Sequence, residues 1–326
     1  MRRLVTIPGI TLALVAAVAL APLCLPLLVL RDLAARTRLS GVRAFLFLLW
    51  LLCAEQAGLL AAGVVWLLHG GRRGPAFEKS NTQVQRRWNG ALFGGAVRLF
   101  GLRVEWHGCE ALAPGPLVYL SRHASIGDTL LPIVAGGPQG LTFRFVLKRG
   151  LLWDPCLDVV GQRLPNAFVS RGRDPQGDLA ALRSIARGLG ATSGVVIFPE
   201  GTRASPARRA ALLAALERKG DAAALARARA LHTVLPIRLG GALALLEAAP
   251  EADLVFCAHS GFDGIRSLKD FASGAFVGAH IRVHFFRVPR AEVPAGSEAR
   301  AAWLHEQWLR VDALSRSSSS PTRPSA

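Results

Sequence analysis

Two long apolar runs near the N-terminus constrain the fold of this chain more than any other feature. Leu4–Leu30 contains no charged residue, and Ala44–Leu68 contains only Glu55. As a helix, each run is long enough to cross the roughly 30 Å hydrocarbon layer of a bilayer. A cleaved signal peptide is the alternative for the first run, because Arg2 and Arg3 precede it, but the run is about twice as long as the usual apolar region of such a peptide.

The arginines around these runs leave the membrane topology open. Four lie between the runs and four lie outside them: Arg31, Arg36, Arg38 and Arg43 against Arg2, Arg3, Arg72 and Arg73. Two spanning helices would place one group on the non-cytoplasmic side, against the positive-inside tendency. A hairpin that enters one leaflet keeps all of them on one side, and Pro22 and Pro26 would help to kink it. Glu55 either has a function at depth or hydrogen-bonds another helix.

The composition favours an anionic partner and a reducing compartment. The net charge is +17 at neutral pH, and beside a membrane anchor the expected partner is an anionic lipid headgroup. A merely soluble, arginine-rich surface is the alternative. No nucleic-acid-binding signature accompanies the basic residues, so we expect no nucleic acid partner. The five cysteines include no C-x-x-C pair, which predicts neither a disulfide framework nor a structural zinc site.

Beyond the breaker cluster Gly70–Pro75, short apolar runs alternate with helical patterns. The predicted strands are Leu102–His107, Leu117–Leu120, Phe143–Leu147, Ala167–Val169, Gly194–Phe198 and Val234–Leu239. The predicted helices include Val84–Phe100, Asp178–Leu189, one opened by Ser205 and Pro206, and Glu298–Leu314. This alternation predicts an α/β fold with a largely parallel central sheet flanked by helices. We assign residues 1–73 to a two-helix membrane element, 76–314 to the α/β domain and 315–326 to a disordered tail.

The turn after the Leu117–Leu120 strand contains a base and a carboxylate, His123 and Asp128. Histidine suits general-base catalysis near neutral pH, and a carboxylate on its far nitrogen would fix the tautomer and stabilise the imidazolium. The two side chains would meet if His123 lies in the strand-to-helix turn and Asp128 in the first helical turn. Ser125 and Asp128 also match a capping box, so a plain helix cap is the alternative.

No serine nucleophile accompanies this pair. The chain lacks a G-x-S-x-G elbow, and Ser121 and Ser125 lie outside such a setting. If His123 is a base, its proton therefore comes from a substrate hydroxyl, which disfavours a lipid hydrolase. A second pair, His259 and Asp263, is interpreted as surface polar residues near the end of a strand.

The FPEGTR segment, Phe198–Arg203, follows a predicted buried strand. It should therefore lie at the carboxyl edge of the sheet, where open α/β folds bind ligands. Gly201 permits close backbone approach, Thr202 can donate a hydrogen bond, and Arg203 can hold a phosphate with two hydrogen bonds. Arg171, at the end of another short strand, would add a second arm. A surface ion pair is the alternative for either arginine.

With these residues, the chain resembles the lysophospholipid acyltransferase superfamily, typified by 1-acylglycerol-3-phosphate acyltransferases. The four ordered blocks of that family match His123 to Asp128, Phe168 to Arg171, Phe198 to Arg203, and Pro236 within an apolar run. Together they cover roughly residues 84–290. Two departures stand out. Arg122 replaces the usual asparagine before the histidine, and the glycine that opens the second block is replaced by Pro165 or Asn166, or shifted to Gly161.

The resemblance implies direct acyl transfer from acyl-CoA or acyl carrier protein to the free hydroxyl of a lysophospholipid, without a covalent enzyme intermediate. 1-Acylglycerol-3-phosphate is the first expectation for the acceptor, giving phosphatidic acid. The implied roles are a base (His123), its orienting carboxylate (Asp128), phosphate ligands (Arg171 and Arg203), residues that shape or line the acceptor site (Glu200, Gly201, Thr202 and Pro236), and a basic residue near the acyl donor (Lys148).

The resemblance implies no metal and no bound cofactor, the acyl donor being a co-substrate. It also implies an N-terminal two-helix membrane element, and we expect the active site to face the cytoplasm from the inner membrane. A non-catalytic membrane lipid-binding protein on an acyltransferase-like fold is the alternative function.

Overall fold

The computed structural model describes residues 1–170, 174–263, 265 and 268–316, which divide into two compact units. The first unit comprises Met1–Arg103, Leu130–Ala181 and Ser267–Ala279; the second comprises Val104–Thr129, Leu182–Arg266 and His280–Ala326.

The described residues form ten α-helices and seven strands. The helices are α1 (Arg2–Ala34), α2 (Ser40–Leu68), α3 (Pro75–Phe100), α4 (Leu131–Gly136), α5 (Pro155–Gly161), α6 (Pro175–Ala186), α7 (Pro206–Lys219), α8 (Ala222–Ala230), α9 (Leu239–Ala248) and α10 (Ser297–Arg316). The strands are β1 (Arg103–His107), β2 (Leu117–Ser121), β3 (Thr142–Lys148), β4 (Ala167–Val169), β5 (Ser193–Ile197), β6 (Asp253–Ser260) and β7 (His280–Val288).

Two long apolar helices open the first unit. Both α1 and α2 are long and apolar enough to cross a membrane, by length and composition only. Large apolar side chains such as Leu12, Leu20 and Leu27 are exposed along α1, whereas Phe47 and Leu52 of α2 are buried. An exposed apolar helix of this length points to association with a membrane.

Glu55 of α2 is buried and hydrogen-bonded to other helices of the first unit. Its carboxylate accepts a hydrogen bond of 3.0 Å from Trp88 Nε1 in α3 and one of 3.2 Å from the Cys156 backbone N–H in α5. Of the two alternatives for this residue, the structure thus shows the helix-to-helix hydrogen bond.

In the second unit the strands lie in the order β1-β7-β6-β2-β5. β2 is parallel to both β5 and β6, while β6 and β7 are antiparallel. Every residue of β2 is buried, as expected for an inner strand of a parallel sheet. In the first unit β3 and β4 are also parallel. The predicted α/β fold with mostly parallel strands flanked by helices is confirmed.

The expected strand Val234–Leu239 is wrong, because the segment forms no ladder and α9 begins at Leu239. Its backbone N–H groups donate hydrogen bonds to side-chain carboxylates instead. Val234 N donates to Asp312 Oδ1 at 3.1 Å, and Leu235 N donates to Glu200 Oε2 at 2.8 Å. Pro236 has no N–H to offer a neighbouring strand.

Two helix ends follow the sequence closely. The Ser205 hydroxyl accepts a hydrogen bond from Arg208 N and caps α7, whose first residue is Pro206, as predicted. α10 runs to Arg316, so it includes the first two residues of the predicted tail. Residues 317–326 lie outside the described part of the chain.

Candidate active site

Three loop segments meet at the carboxyl edge of the second unit's sheet. Strand register decides which residues come together, because Ser121 of β2 lies opposite Cys257 of β6 and Leu120 lies opposite Ile197 of β5. His123 and Phe198 follow the last paired residues of β2 and β5 by one to three positions, and His259 lies in β6 two positions beyond Cys257, the last residue of β6 that pairs with β2. The edge where open parallel sheets bind ligands thus contains these residues.

The turn after β2 is wound around the Asp128 carboxylate. Asp128 Oδ2 accepts hydrogen bonds from Ala124 N at 2.6 Å and from Ser125 N at 2.7 Å. Ser125 Oγ accepts one from Gly127 N at 3.0 Å. These bonds satisfy the free N–H groups at the start of a short helical turn, as in a capping box.

The other oxygen of the same carboxylate contacts His123. His123 Nδ1 and Asp128 Oδ1 are 2.9 Å apart, and the His123 ring packs on Phe198 with centroids 4.6 Å apart. The His123 side chain is 15% exposed, whereas Asp128 is completely buried. The two readings of this turn are therefore both realised, since Asp128 caps the helical turn and orients His123 at once. Among the described residues none hydrogen-bonds to His123 Nε2.

Asp128 is ionised at neutral pH. Burial by itself would raise the pKa of its carboxyl, but the hydrogen bond from His123 and the electrostatic interactions with the His123 and His259 rings outweigh burial and lower that pKa. An ionised carboxylate on Nδ1 is what fixes the Nε2 atom of the ring as the proton acceptor.

Glu200, in the turn after β5, ties two backbone segments together. Glu200 Oε1 accepts a hydrogen bond from His123 N at 2.7 Å, and Oε2 accepts one from Leu235 N at 2.8 Å. Ala204 N donates to the His123 carbonyl at 2.7 Å, so the FPEGTR turn and the residue that follows it bind both backbone groups of the histidine. Burial raises the pKa of Glu200 to about 8, although the two N–H groups oppose the shift.

Gly201 and its neighbours lie in the same unit as His123. Gly201 has a φ of +68°, and a Cβ there would lie 2.8 Å from Arg238 Cδ, so a side chain would be strained and would displace Arg238. Thr202, Arg203 and Pro236 are half-buried. The acceptor-binding roles predicted for these residues stay predictions.

Two further site residues were predicted, Lys148 and Arg171. Lys148 is exposed at the end of β3 and belongs to the first unit. Arg171 lies outside the described residues. Their proposed contacts with the acyl donor and with the acceptor phosphate stay predictions.

His259 is completely buried, so its interpretation as a surface residue is wrong. Its Nε2 lies 3.1 Å from the Arg122 carbonyl and 3.6 Å from Asp128 Oδ2. Burial lowers the pKa of His259 to about 4, against the opposing charge of Asp128, so the ring is neutral at pH 7. Asp263 is half-exposed, as expected. His259 is buried because β6 pairs in parallel with β2, and the local sequence does not show this pairing.

Arg122, the departure from the family pattern, is also buried. Its guanidinium donates hydrogen bonds to the carbonyls of His259 and Thr233 and pairs with the Asp263 carboxylate. The arginine thereby joins the end of β6 to the segment that precedes α9. Its role in the described structure is to fix the loops behind His123.

Within the described ranges no group of three or more His, Cys, Asp and Glu side chains is arranged to hold a metal ion. The prediction that the reaction needs no bound cofactor is untested.

Comparison with known proteins gives a match to a family model and a likeness to solved structures. Residues 103–240, which include His123, Asp128, the FPEGTR turn and Pro236, match the acyltransferase family model. Among solved structures, the chain is similar to the 1-acyl-sn-glycerophosphate (LPA) acyltransferase PlsC from Thermotoga maritima. The TM-score is 0.56 at 15% identity, over 88% of this chain and 100% of that one. This likeness supports the fold. No curated protein matches the sequence significantly.

Proposed function

We propose that this O-acyltransferase, whose residues 103–240 carry the acyltransferase-family domain, moves a fatty acyl group onto the free hydroxyl of a lysophospholipid. The donor would be acyl-CoA or acyl carrier protein. The proposed acceptor is 1-acylglycerol-3-phosphate, the substrate named for the structurally similar PlsC, and the product is phosphatidic acid. The observation on which this rests is His123 held through Nδ1 by the Asp128 carboxylate at 2.9 Å.

In the proposed mechanism His123 Nε2 takes the proton of the acceptor hydroxyl as the hydroxyl oxygen attacks the thioester carbonyl. A C–O bond forms, the C–S bond breaks, and the imidazolium returns the proton to the departing thiolate. Asp128 stabilises the imidazolium between these events. The reaction is balanced without a covalent enzyme intermediate.

The environment of the nearby serines supports a substrate-derived proton. Ser121 Oγ donates to the Arg122 carbonyl at 3.1 Å, and Ser125 Oγ accepts from Gly127 N. Both hydroxyls are buried and already bonded to backbone. Neither is therefore available to His123 as an acyl-accepting nucleophile.

Two arginines are the proposed ligands of the acceptor's phosphate. Arg203 ends the turn that holds the His123 backbone, and a guanidinium can grip a phosphate with two hydrogen bonds. Arg171 would be the second ligand. This subsite would be lined by Gly201, Thr202 and Pro236. Glu200 would support it through its hydrogen bonds to the backbone N–H groups of His123 and Leu235. Lys148 would attract the anionic acyl donor.

Membrane attachment through α1 and α2 completes the proposal. The lysophospholipid acceptor and the phospholipid product both reside in a bilayer, and the apolar surface of α1 suits insertion there. We propose the inner membrane, with the active site facing the cytoplasm, where acyl donors are found.

The test is an acyl-transfer assay with purified full-length protein, labelled acyl-CoA or acyl carrier protein, and a panel of lysolipids. We expect labelled phosphatidic acid from wild type and its loss, by three orders of magnitude or more, in His123→Ala. Membrane association should be unchanged, since the substitution leaves α1 and α2 intact.

His305→Ala is the matched control, because His305 lies on α10, far along the chain from the turn, and should leave turnover near wild type. Full turnover by His123→Ala would contradict the mechanism. Turnover with a different lysolipid only would keep the mechanism and change the acceptor.

A further inference from the structure

The first unit contains a basic pocket that the proposed reaction does not use. It has a volume of about 230 Å³ and opens where the N-terminal end of α1, the C-terminal end of α2, the start of α3 and the end of α5 meet. Its lining includes Arg3, Trp66, Arg73, Phe77, Gln162 and Arg163. We call this site the arginine pocket, after Arg3, Arg73 and Arg163.

Arg163 is fixed in the wall of the arginine pocket by neutral groups. Its guanidinium donates to the Ala62 carbonyl at 2.7 Å and to Asn81 Oδ1 at 3.3 Å, and it lies 5.3 Å from the Phe77 ring centroid. Burial and then the charges of Arg3 and Arg73 lower its pKa. Three like charges therefore act on one small volume.

One of the three pocket arginines, Arg3, already has a carboxylate partner, which it shares with Arg2. Asp158 Oδ1 pairs with Arg2 at 2.7 Å, and Oδ2 pairs with Arg3 at 3.0 Å. Within the described part of the chain, no acidic side chain forms an ion pair with Arg73 or Arg163. The pocket is therefore left with a surplus of positive charge, and like charges held close together are stabilised by a bound anion.

We propose that the arginine pocket binds a phosphate group, carried by the headgroup of an anionic phospholipid. Guanidinium groups match phosphate oxygens in geometry and charge. The pocket lies at the ends of both candidate membrane helices, which is the depth at which headgroups lie. Trp66 is half-exposed there, as is common for tryptophan at a membrane surface. The proposal rests on the membrane attachment proposed above, but it is independent of the reaction.

Two adjacent arginines give a matched pair of variants. Arg73 lines the pocket, whereas Arg72 does not, and both are exposed. Arg73→Gln and Arg72→Gln remove the same charge from the same segment. Arg163 is a poorer choice, because its loss would also remove the hydrogen bonds to Ala62 and Asn81.

The experiment measures the thermal midpoint of the full-length protein in neutral detergent micelles while phosphatidylglycerol is titrated into them. A ligand that binds the folded state raises this midpoint. We expect the thermal midpoint to rise with phosphatidylglycerol in wild type and in Arg72→Gln. For Arg73→Gln, the lipid concentration that gives half of the rise should be about tenfold to hundredfold higher than for wild type, because one charged hydrogen-bonding partner is lost. A parallel titration uses inorganic phosphate at millimolar concentration without the lipid.

Three results would overturn the proposal. One is no rise in wild type, and another is an equal loss in both variants, which would mean diffuse attraction. The third is a rise of the thermal midpoint with inorganic phosphate that depends on Arg73 and is at least as large as the rise with the lipid. That result would assign the site to a free phosphate. Arg73→Gln should keep wild-type acyl transfer at saturating substrate, so failure of this site and failure of the reaction are told apart.

Discussion

Asp128 and Glu200 are two buried carboxylates that hold the turns around His123, yet they differ in charge at neutral pH. Each accepts backbone N–H groups: Asp128 those of Ala124 and Ser125, Glu200 those of His123 and Leu235. Only Asp128 also contacts imidazole rings. The pKa of Asp128 is lowered, while that of Glu200 is raised to about 8.

This difference assigns two tasks, electrostatic stabilisation and support of the backbone, to two different carboxylates of the site. Backbone N–H groups alone do not offset the cost of burying a carboxylate charge, so Glu200 serves mainly as a hydrogen-bonding tie. Asp128 also accepts a hydrogen bond from the His123 ring, which offsets that cost, so Asp128 keeps its charge where an imidazolium would form. We therefore assign the electrostatic part of catalysis to Asp128 and the support of the backbone to Glu200.

The largest effect that this comparison predicts is on turnover. Asp128→Asn should lower kcat/KM by about 10³ to 10⁴ fold, because an amide neither fixes the Nε2-accepting tautomer nor stabilises the imidazolium. Steady-state acyl-transfer kinetics measure this loss. Glu298→Gln, at the exposed start of α10, is the control. If kcat/KM falls less than tenfold in Asp128→Asn, the Asp128 carboxylate only caps the helical turn and takes no part in catalysis.

The second prediction concerns how stability depends on pH. The folded state keeps a proton on Glu200 that the unfolded chain releases above its ordinary pKa of 4.5. Stability from this group therefore falls by a few kcal/mol as pH rises from about 4.5 to about 8. Asp128 has the opposite sign: its lowered pKa contributes stability above the ordinary value of 3.8, and that contribution is lost only as pH falls below it.

Thermal midpoints between pH 3 and pH 9 test both signs. Relative to wild type, Glu200→Gln should gain stability as pH rises from 5 to 8, because it lacks the loss due to Glu200. The lowered pKa of His259 acts with the opposite sign below pH 6.5, but it is common to both proteins. Asp128→Asn should alter only the acid side. A wild-type slope retained in Glu200→Gln would mean that Glu200 is ionised in the folded protein, and the contrast between the two carboxylates would be broken.

The third prediction, at fixed pH, is that Glu200→Gln lowers the free energy of unfolding without a matching decrease in kcat/KM. Glutamine has one acceptor oxygen, so either His123 N–H or Leu235 N–H is left buried and unpaired, at about 1–3 kcal/mol. Denaturant unfolding in detergent measures this loss. Glu306→Gln, exposed on α10, should change little. A decrease in kcat/KM as large as that of Asp128→Asn would give Glu200 a direct part in the reaction.

How far the sequence predicts this site depends on the range of each contact. The pairing of His123 with Asp128 follows from five residues of spacing, and the capping box from three. These local patterns did not exclude each other, because a carboxylate has two oxygens and several lone pairs. Local spacing allowed both arrangements, and the structure contains both.

Contacts between distant segments were not predictable in the same way. Val234–Leu239 has the apolar pattern of a strand, but Asp312 and Glu200, far along the chain, take its N–H groups. His259 reaches Asp128 only because β6 pairs with β2 in one register, which no local pattern encodes. Propensity describes a segment, whereas its hydrogen-bonding partner is decided by the tertiary fold.

The smallest predicted effect lies at the rim of the same network. Arg122 is buried but Asp263 is 55% exposed, and water can solvate the guanidinium–carboxylate pair from that side. Asp263→Asn should therefore cost no more than about 1 kcal/mol of unfolding free energy, since Arg122 keeps its bonds to the carbonyls of His259 and Thr233. Turnover should change less than threefold. A loss of turnover comparable to that of Asp128→Asn would show that the charge on Asp128 depends on Asp263 through Arg122 and His259, and the electrostatic task would then belong to the whole network rather than to one carboxylate.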